Sequence, residues 1–269
     1  MPQLLSADIV ILGSGPGGSA LAYALKDSGA NVLVVERGGY LPAEPANWDA
    51  RAVFGEGRYK TTDRWFDTVR RRPYRPGNHY WVGGQTKLYG ANLQRFRVED
   101  FAGMRHVDGV TPAWPIGYAE MEMYYGQAEA LFGVRGEAGI DPTEPPRSTP
   151  YPFPAIPHEP AVAELVEALR SQGLHPHPLE MAIDWGEGGC NRDTPCTGCD
   201  GFPCYAGGKG DAERQCLRPA LASPQVRLLT DTLVRRIKTA DGGRRIVAVE
   251  ALHRGDLVTI TGSTFVLAC

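Results

Sequence analysis

The run Gly13-Ser14-Gly15-Pro16-Gly17-Gly18 sets three glycines in the spacing G-x-G-x-x-G, and Glu36 follows eighteen residues after Gly18. Each residue type has a physical use in such a pattern. Gly13 permits a tight turn out of a strand. Gly15 lets the backbone approach a pyrophosphate that a side chain would block, and Gly18 lets a helix pack closely on the strand before it. The N–H groups and positive end of that helix then face the phosphates. A carboxylate at position 36 can accept both hydroxyls of an adenosine ribose and would repel a 2′-phosphate, which argues against NADP. The chemistry on offer is dinucleotide binding; the bland alternative is a glycine-rich turn, and the flanking elements decide between them.

Those elements stand in the required order. Residues 7–12 read as a short buried strand. Residues 19–28 carry Ala and Leu at helical spacing and end at Gly29, a helix stop. Residues 31–35 form a second buried strand that ends at Glu36. At 269 residues the chain has room for one large domain or two small ones. Its 42% hydrophobic content suits a packed core and is too high for a disordered chain. With 28 Lys+Arg against 31 Asp+Glu, the net charge of −3 gives no electrostatic footprint for nucleic acid or an anionic membrane. No stretch approaches the roughly 18 apolar residues of a membrane helix. Met1-Pro2-Gln3-Leu4-Leu5-Ser6 lacks the charged and apolar regions of a secretory signal. A soluble, cytoplasmic enzyme is expected. Gly and Pro number 33 and 22, about a fifth of the chain, so many loops and tight backbone approaches are expected.

Four of the six cysteines, Cys190, Cys196, Cys199 and Cys204, fall within fifteen residues; Cys216 and Cys269 stand apart. Thiolates at such spacing can converge on zinc or an iron–sulfur cluster. They can instead form a disulfide, which a cytoplasmic chain disfavours, or serve as small buried residues in a loop. The last reading is preferred, so no metal is assigned. His175 and His177 flank Pro176 and read as an exposed extended segment; no other histidine has ligand spacing. Arg70-Arg71-Arg72 reads as a solvated basic turn within a Pro-, Trp- and Arg-rich excursion from Leu41 to Tyr80 that holds no clean third strand.

A second glycine cluster, Val82-Gly83-Gly84-Gln85-Thr86, leads to Gly90-Ala91-Asn92-Leu93; paired glycines let a loop lie against a flat ring or a phosphate. Thr111-Pro112-Ala113-Trp114-Pro115-Ile116 then precedes a helix from Tyr118 to Phe132 with Glu120, Glu122, Tyr124 and Tyr125. These segments, with the first glycine motif and the Glu36-Arg37-Gly38 continuation, resemble the glucose–methanol–choline (GMC) family of flavin oxidoreductases over essentially the whole chain. The resemblance implies an α/β, Rossmann-type FAD-binding domain made of residues 1–100 and 205–269. Residues 101–204 then form an excursion with the start of a second, substrate-covering domain and the Cys-rich loop. It implies cofactor contacts at Gly13, Gly15, Gly18, Glu36, Arg37, Gly83, Gly84, Thr86, Gly90 and Ala91, and an adenine contact from the backbone at Val234. Some relatives attach flavin covalently through a histidine of the second loop. Gln85-Thr86-Lys87-Leu88-Tyr89 has none, and His79 lies upstream at a position that does not match, so noncovalent FAD is expected.

Towards the C-terminus, residues 226–229 and 232–237 read as strands, Asp241-Gly242-Gly243 as a turn, 246–252 and 257–260 as a hairpin, and 264–269 as a final buried strand. In the family, that strand runs on into a helix, so the chain reads as an N-terminal portion. The catalytic base is expected beyond Cys269, and no histidine here is given the role. The implied reaction is oxidation of a CH–OH group, in a sugar, amino-sugar or polyol, by hydride transfer to flavin N5. The electron acceptor, oxygen or another, is left open. The alternatives are a non-catalytic FAD-binding fragment, an iron–sulfur electron-transfer flavoprotein, or an NAD-dependent dehydrogenase.

Overall fold

A computed structural model describes residues 3–186, 189–194, 196, 198–240 and 242–269. Met1, Pro2 and Asp241, on which two of the readings above partly rest, lie outside them. The chain divides into two compact units. The first comprises Met1–Gly90, Pro195–Tyr205 and Asp211–Cys269; the second comprises Ala91–Thr194 and Ala206–Gly210.

The first unit is built on one six-stranded sheet. Its strands are β1 (Gln3–Leu12), β2 (Val32–Val35), β3 (Val226–Leu229), β4 (Thr232–Thr239), β5 (Ile246–His253) and β6 (Asp256–Leu267), in the spatial order β4-β5-β6-β1-β2-β3. Neighbours from β6 to β3 run parallel; β4, β5 and β6 pair antiparallel. The apolar runs explain the centre. Val10 and Leu12 point to one face with Leu33 and Val35, where they pack with Val249, Ala251, Val258 and Ile260. Ile11, Val32 and Val34 point to the other, against Ala22, Val82, Leu217 and Ala220. Strands buried on both faces read as continuous apolar runs, as these do. Helix α1 (Pro16–Leu25) follows β1 directly, with Pro16 at its first position.

Three sequence expectations change. α1 stops at Leu25, not at residue 28, because the Ser28 hydroxyl and N–H both turn back to the Leu25 carbonyl. The predicted strands at 257–260 and 264–269 are one twelve-residue strand, β6. Gly262, in the gap between the two predicted strands, continues the pairing opposite Ala7. A Cβ on it would stand 2.9 Å from Val10 Cγ2, so the bare backbone lets β6 lie close on β1. The end of that strand is also not buried: Thr264, Leu267 and Cys269 are exposed. Arg70 and Arg71 occupy the turn of a small two-stranded ribbon, Trp65–Asp67 with Arg72–Tyr74, as the solvated reading expects.

The second unit holds α2 (Tyr118–Phe132) at the bounds read from the sequence, closed by Gly133 in the left-handed region, and α3 (Pro160–Arg170), which the sequence reading passed over. Arg95 organises the unit. Its buried guanidinium meets both oxygens of Glu129 at 2.7 and 2.8 Å and also reaches the Tyr118 hydroxyl and Glu122 at 3.0 and 3.1 Å.

Candidate functional site

The first glycine loop leaves β1 at Gly13, whose φ of +105° favours glycine and whose added Cβ would lie 2.9 Å from the Ala268 carbonyl. At Gly18 an added Cβ would lie 2.0 Å from the Gly13 carbonyl oxygen, so helix and strand meet as closely as the spacing implied. Gly15 differs. An added Cβ there meets nothing within 4 Å, and its φ of −63° is open to any residue. The absence of a side chain at Gly15 therefore serves no packing within the described residues and leaves an open face at the start of α1.

The carboxylate of Glu36 is buried and turned into the loop. Its Oε2 accepts from the Ser14 N–H at 2.9 Å and the Ser14 hydroxyl at 2.5 Å, and its Oε1 accepts from the Gly38 N–H at 2.9 Å. Of roughly four acceptor positions on a carboxylate, three are engaged and one remains. The backbone of Glu36 is fixed too, its N–H by Leu229 and its carbonyl by Thr232, which opens β4. Val234 lies two residues along that strand, paired with Ala251. Gly38 matters for a reason no spacing rule carries: an added Cβ would lie 1.8 Å from the Tyr80 carbonyl oxygen. Arg37 is held by Asp63 at 2.6 Å and stacks over the Tyr80 ring at 3.7 Å.

The second loop packs against the first. Gly83 and Gly84 both have positive φ, and an added Cβ on Gly84 would lie 2.8 Å from the Gly15 Cα. The Gly83 N–H donates to the Ser14 hydroxyl at 3.2 Å. Thr86 is buried; its hydroxyl donates to the Gly83 carbonyl at 2.6 Å and accepts from the Ala212 N–H at 2.9 Å, so toward any further group it can only accept. Lys87 reaches Asp211 at 3.0 Å and Glu213 at 2.5 Å, and Arg218 also grips Glu213. Those partners open a short π-helical turn, Glu213–Leu217, so the loop is anchored far along the chain. Gly90 ends the first unit, where an added Cβ would touch Asp200 at 3.4 Å. Ala91 begins the second with φ +64° and its carbonyl accepting from Ala182.

Beside the second loop lies a cavity of about 380 Å³, lined in part by Phe54, Lys60, His79, Gln85, Leu88 and Tyr89. Burial pushes the His79 imidazole below its ordinary range, and Lys60 and Arg75 add to this, while Gln85 Oε1 sits 3.2 Å from Nδ1. Burial likewise drives the Tyr89 phenol far up, with Asp211 and Cys199 assisting.

The four clustered cysteines are divided: Cys190 belongs to the second unit and Cys196, Cys199 and Cys204 to the first. Among the described residues, no group of three or more His, Cys, Asp or Glu side chains converges as a metal site. Sequence reasoning missed Ser14, Gly38 and Lys87. The first two sit inside motifs already singled out, whereas nothing near Lys87 signals partners 124 and 126 residues away.

Residues 11–74 match the NAD(P)-binding Rossmann-like domain family. The chain is 32% identical to 6'''-hydroxyparomomycin C oxidase of Streptomyces lividus and 31% identical to paromamine 6'-oxidase of Streptomyces fradiae. Each alignment covers 97% of this chain and 48% or 47% of the relative. Pyridoxine 4-oxidase from Mesorbium loti shares the fold with a TM-score of 0.59 at 21% identity, over 97% of this chain and 48% of that one. The chain thus spans about half the length of the curated relatives it matches, and over that span it belongs to the GMC oxidoreductase family.

Proposed function

We propose that the first unit binds FAD noncovalently across its two glycine loops, as the cofactor half of an enzyme that oxidises an alcohol group. The open face at Gly15 carries this reading: it is a glycine that packing does not need, at the start of a helix, with the second loop against it. In this reading Gly13 and Gly18 set the turn, and the N–H groups at the start of α1 receive the pyrophosphate. The remaining acceptor position of Glu36 takes a ribose hydroxyl, and the backbone at Val234 lies along the adenine. Gly83, Gly84, Thr86 and Gly90 line the flavin side, and Arg37, committed to Asp63 and Tyr80, borders the site without a free charge to offer. FAD, when bound, supplies the acceptor for the hydride that leaves the alcohol carbon. The base that takes the hydroxyl proton is assigned to no residue of this chain. The relatives named as oxidases of paromamine and hydroxyparomomycin C support a sugar, amino-sugar or polyol alcohol as substrate. No described helix is long and apolar enough to cross a membrane.

The visible spectrum of the purified chain, before and after acid precipitation, tests the cofactor. Flavin bands released to the supernatant are expected. Flavin retained in the pellet would refute noncovalent attachment. A colourless folded chain that binds nicotinamide dinucleotide would favour the NAD-dependent dehydrogenase reading, to which the NAD(P)-binding Rossmann-like family match lends support.

A further inference from the structure

We infer that Ser14 is a positioning residue that joins Glu36 and the second glycine loop into one dinucleotide-binding surface. The inference rests on the FAD reading and extends it to a residue that the motif leaves unspecified. Ser14 is fully buried. Its hydroxyl donates to Glu36 Oε2 at 2.5 Å and accepts from the Gly83 N–H at 3.2 Å. Its own N–H donates to the same carboxylate oxygen at 2.9 Å, and its carbonyl accepts from the Ser19 hydroxyl at 2.6 Å, inside α1. One residue therefore connects the strand-end acid and a loop 69 residues away through its side chain, and α1 through its carbonyl.

The polarity of the chain of bonds gives it direction. The Glu36 carboxylate can only accept, so it fixes the Ser14 hydrogen toward itself and leaves the lone pairs of Oγ for Gly83. A hydrogen bond to a charged partner polarises the hydroxyl and strengthens the bond it accepts. Anything that reorients Glu36, such as a ribose taking its last acceptor position, is felt at Gly83 through a single atom. Beside this joint, Gly84 abuts Gly15, so a loosened Gly83 shifts the second loop, on which the flavin side rests. An alanine at position 14 would keep the backbone bond to Glu36 and lose the link to the second loop.

The test compares wild type, Ser14→Ala, Glu36→Gln and the double variant by calorimetric titration with FAD and with ADP, and by amide exchange at Gly83. ADP needs the Glu36 side and the start of α1, whereas FAD also needs the second loop. For Ser14→Ala, exchange at Gly83 should rise, and the Kd for FAD should rise by ~10-fold, the scale of one net hydrogen bond. The Kd for ADP should move by less than a third of that factor, and the double variant should lose less FAD affinity than the product of the singles. Equal losses of FAD and ADP affinity would mean that Ser14 only supports the fold, and would overturn the inference. Unchanged FAD affinity and unchanged Gly83 exchange would overturn it as well, leaving FAD binding intact. A wild-type chain that binds neither FAD nor ADP would remove the FAD reading and the inference with it.

Discussion

Gly15→Val separates ligand binding from folding more cleanly than any other change in the first loop. Gly15 has φ −63° and ψ −174°, within the region open to L-residues, and an added Cβ meets nothing within 4 Å. The folded protein should therefore tolerate the side chain, with a change within about 1 kcal/mol and of either sign. The bound state should not tolerate it. In the first turn of α1, Pro16 has no N–H and the Ser19 N–H returns to the Gly15 carbonyl. Gly17 and Gly18 lie too early in the helix for an intrahelical acceptor, so their two N–H groups are the ones aimed outward. Two hydrogen bonds to a charged diphosphate at about 1.5–3 kcal/mol each amount to roughly 3–6 kcal/mol, or two to four orders of magnitude in Kd. Thermal melting of the apoprotein should superimpose on wild type while a fluorescence titration with FAD shifts by that factor. A valine variant that keeps wild-type FAD affinity would refute the placement of the diphosphate. One that loses several degrees of stability without ligand would refute the claim that Gly15 is free of packing duty.

Three further outcomes follow from the geometry. Gly18→Ala should behave oppositely to Gly15→Val. Its Cβ would lie 2.0 Å from a backbone oxygen that cannot swing away, so the apoprotein should lose about 3 kcal/mol in urea unfolding; an unperturbed midpoint would contradict the close helix–strand approach. In the second unit, Arg95→Met removes the shorter of two guanidinium partners of buried Glu129 and leaves Arg147 at 3.2 and 3.3 Å, so it should cost about 1–3 kcal/mol, less than an orphaned buried charge. The double variant Arg95→Met/Glu129→Leu should recover much of it, and a double variant no more stable than the single would sink the ion-pair account. Burial, with Asp211 nearby, pushes the Cys216 thiol up to about 12 from its ordinary 9.0. The folded state then keeps its proton after the unfolded state has lost it, so stability falls as pH rises from 9 toward 12. Cys216→Ala should flatten that alkaline decline in urea midpoints, and parallel declines in both proteins would refute the assignment.

Much of the sheet was legible because burial on both faces writes itself as unbroken apolar runs. Ile9 to Leu12 and Val32 to Val35 are such runs in the parallel centre, whereas Val226 to Leu229, interrupted by exposed Arg227, is the parallel edge strand. The limits of legibility are physical. Helix α3 carries Val162, Leu165, Val166 and Leu169 at helical spacing after a proline start, yet only Val166 is buried, and a Pro-rich neighbourhood masked the pattern. The two predicted strands on either side of Gly262 join because a sequence does not say which backbone lies alongside. In the site, the local roles of Gly13 and Gly18 follow from a turn and a helix within six residues. The requirement at Gly38 comes from Tyr80, and the anchoring of Lys87 comes from Asp211 and Glu213, contacts that only the folded chain brings together. The tract Pro195–Tyr205 joins the first unit and not the excursion in which the sequence reading left it through Cys204.

The parallel pairing of β1 with β6 has a consequence in time. Gln3 faces Val258 and Leu12 faces Leu267, a constant offset of 255 residues. At a synthesis rate of roughly 5–20 residues per second, β1 emerges about 13–50 seconds before the strand that will sit beside it. Through that interval the edge carrying Val10, Ile11 and Leu12 has only β2, already made, on its other side. Such an unpaired apolar edge is a template for adventitious strand addition. Until β6 arrives, that edge is open to such pairing. The chain's yield on expression should respond to translation speed between residues 12 and 256 more than to the final stability of the sheet.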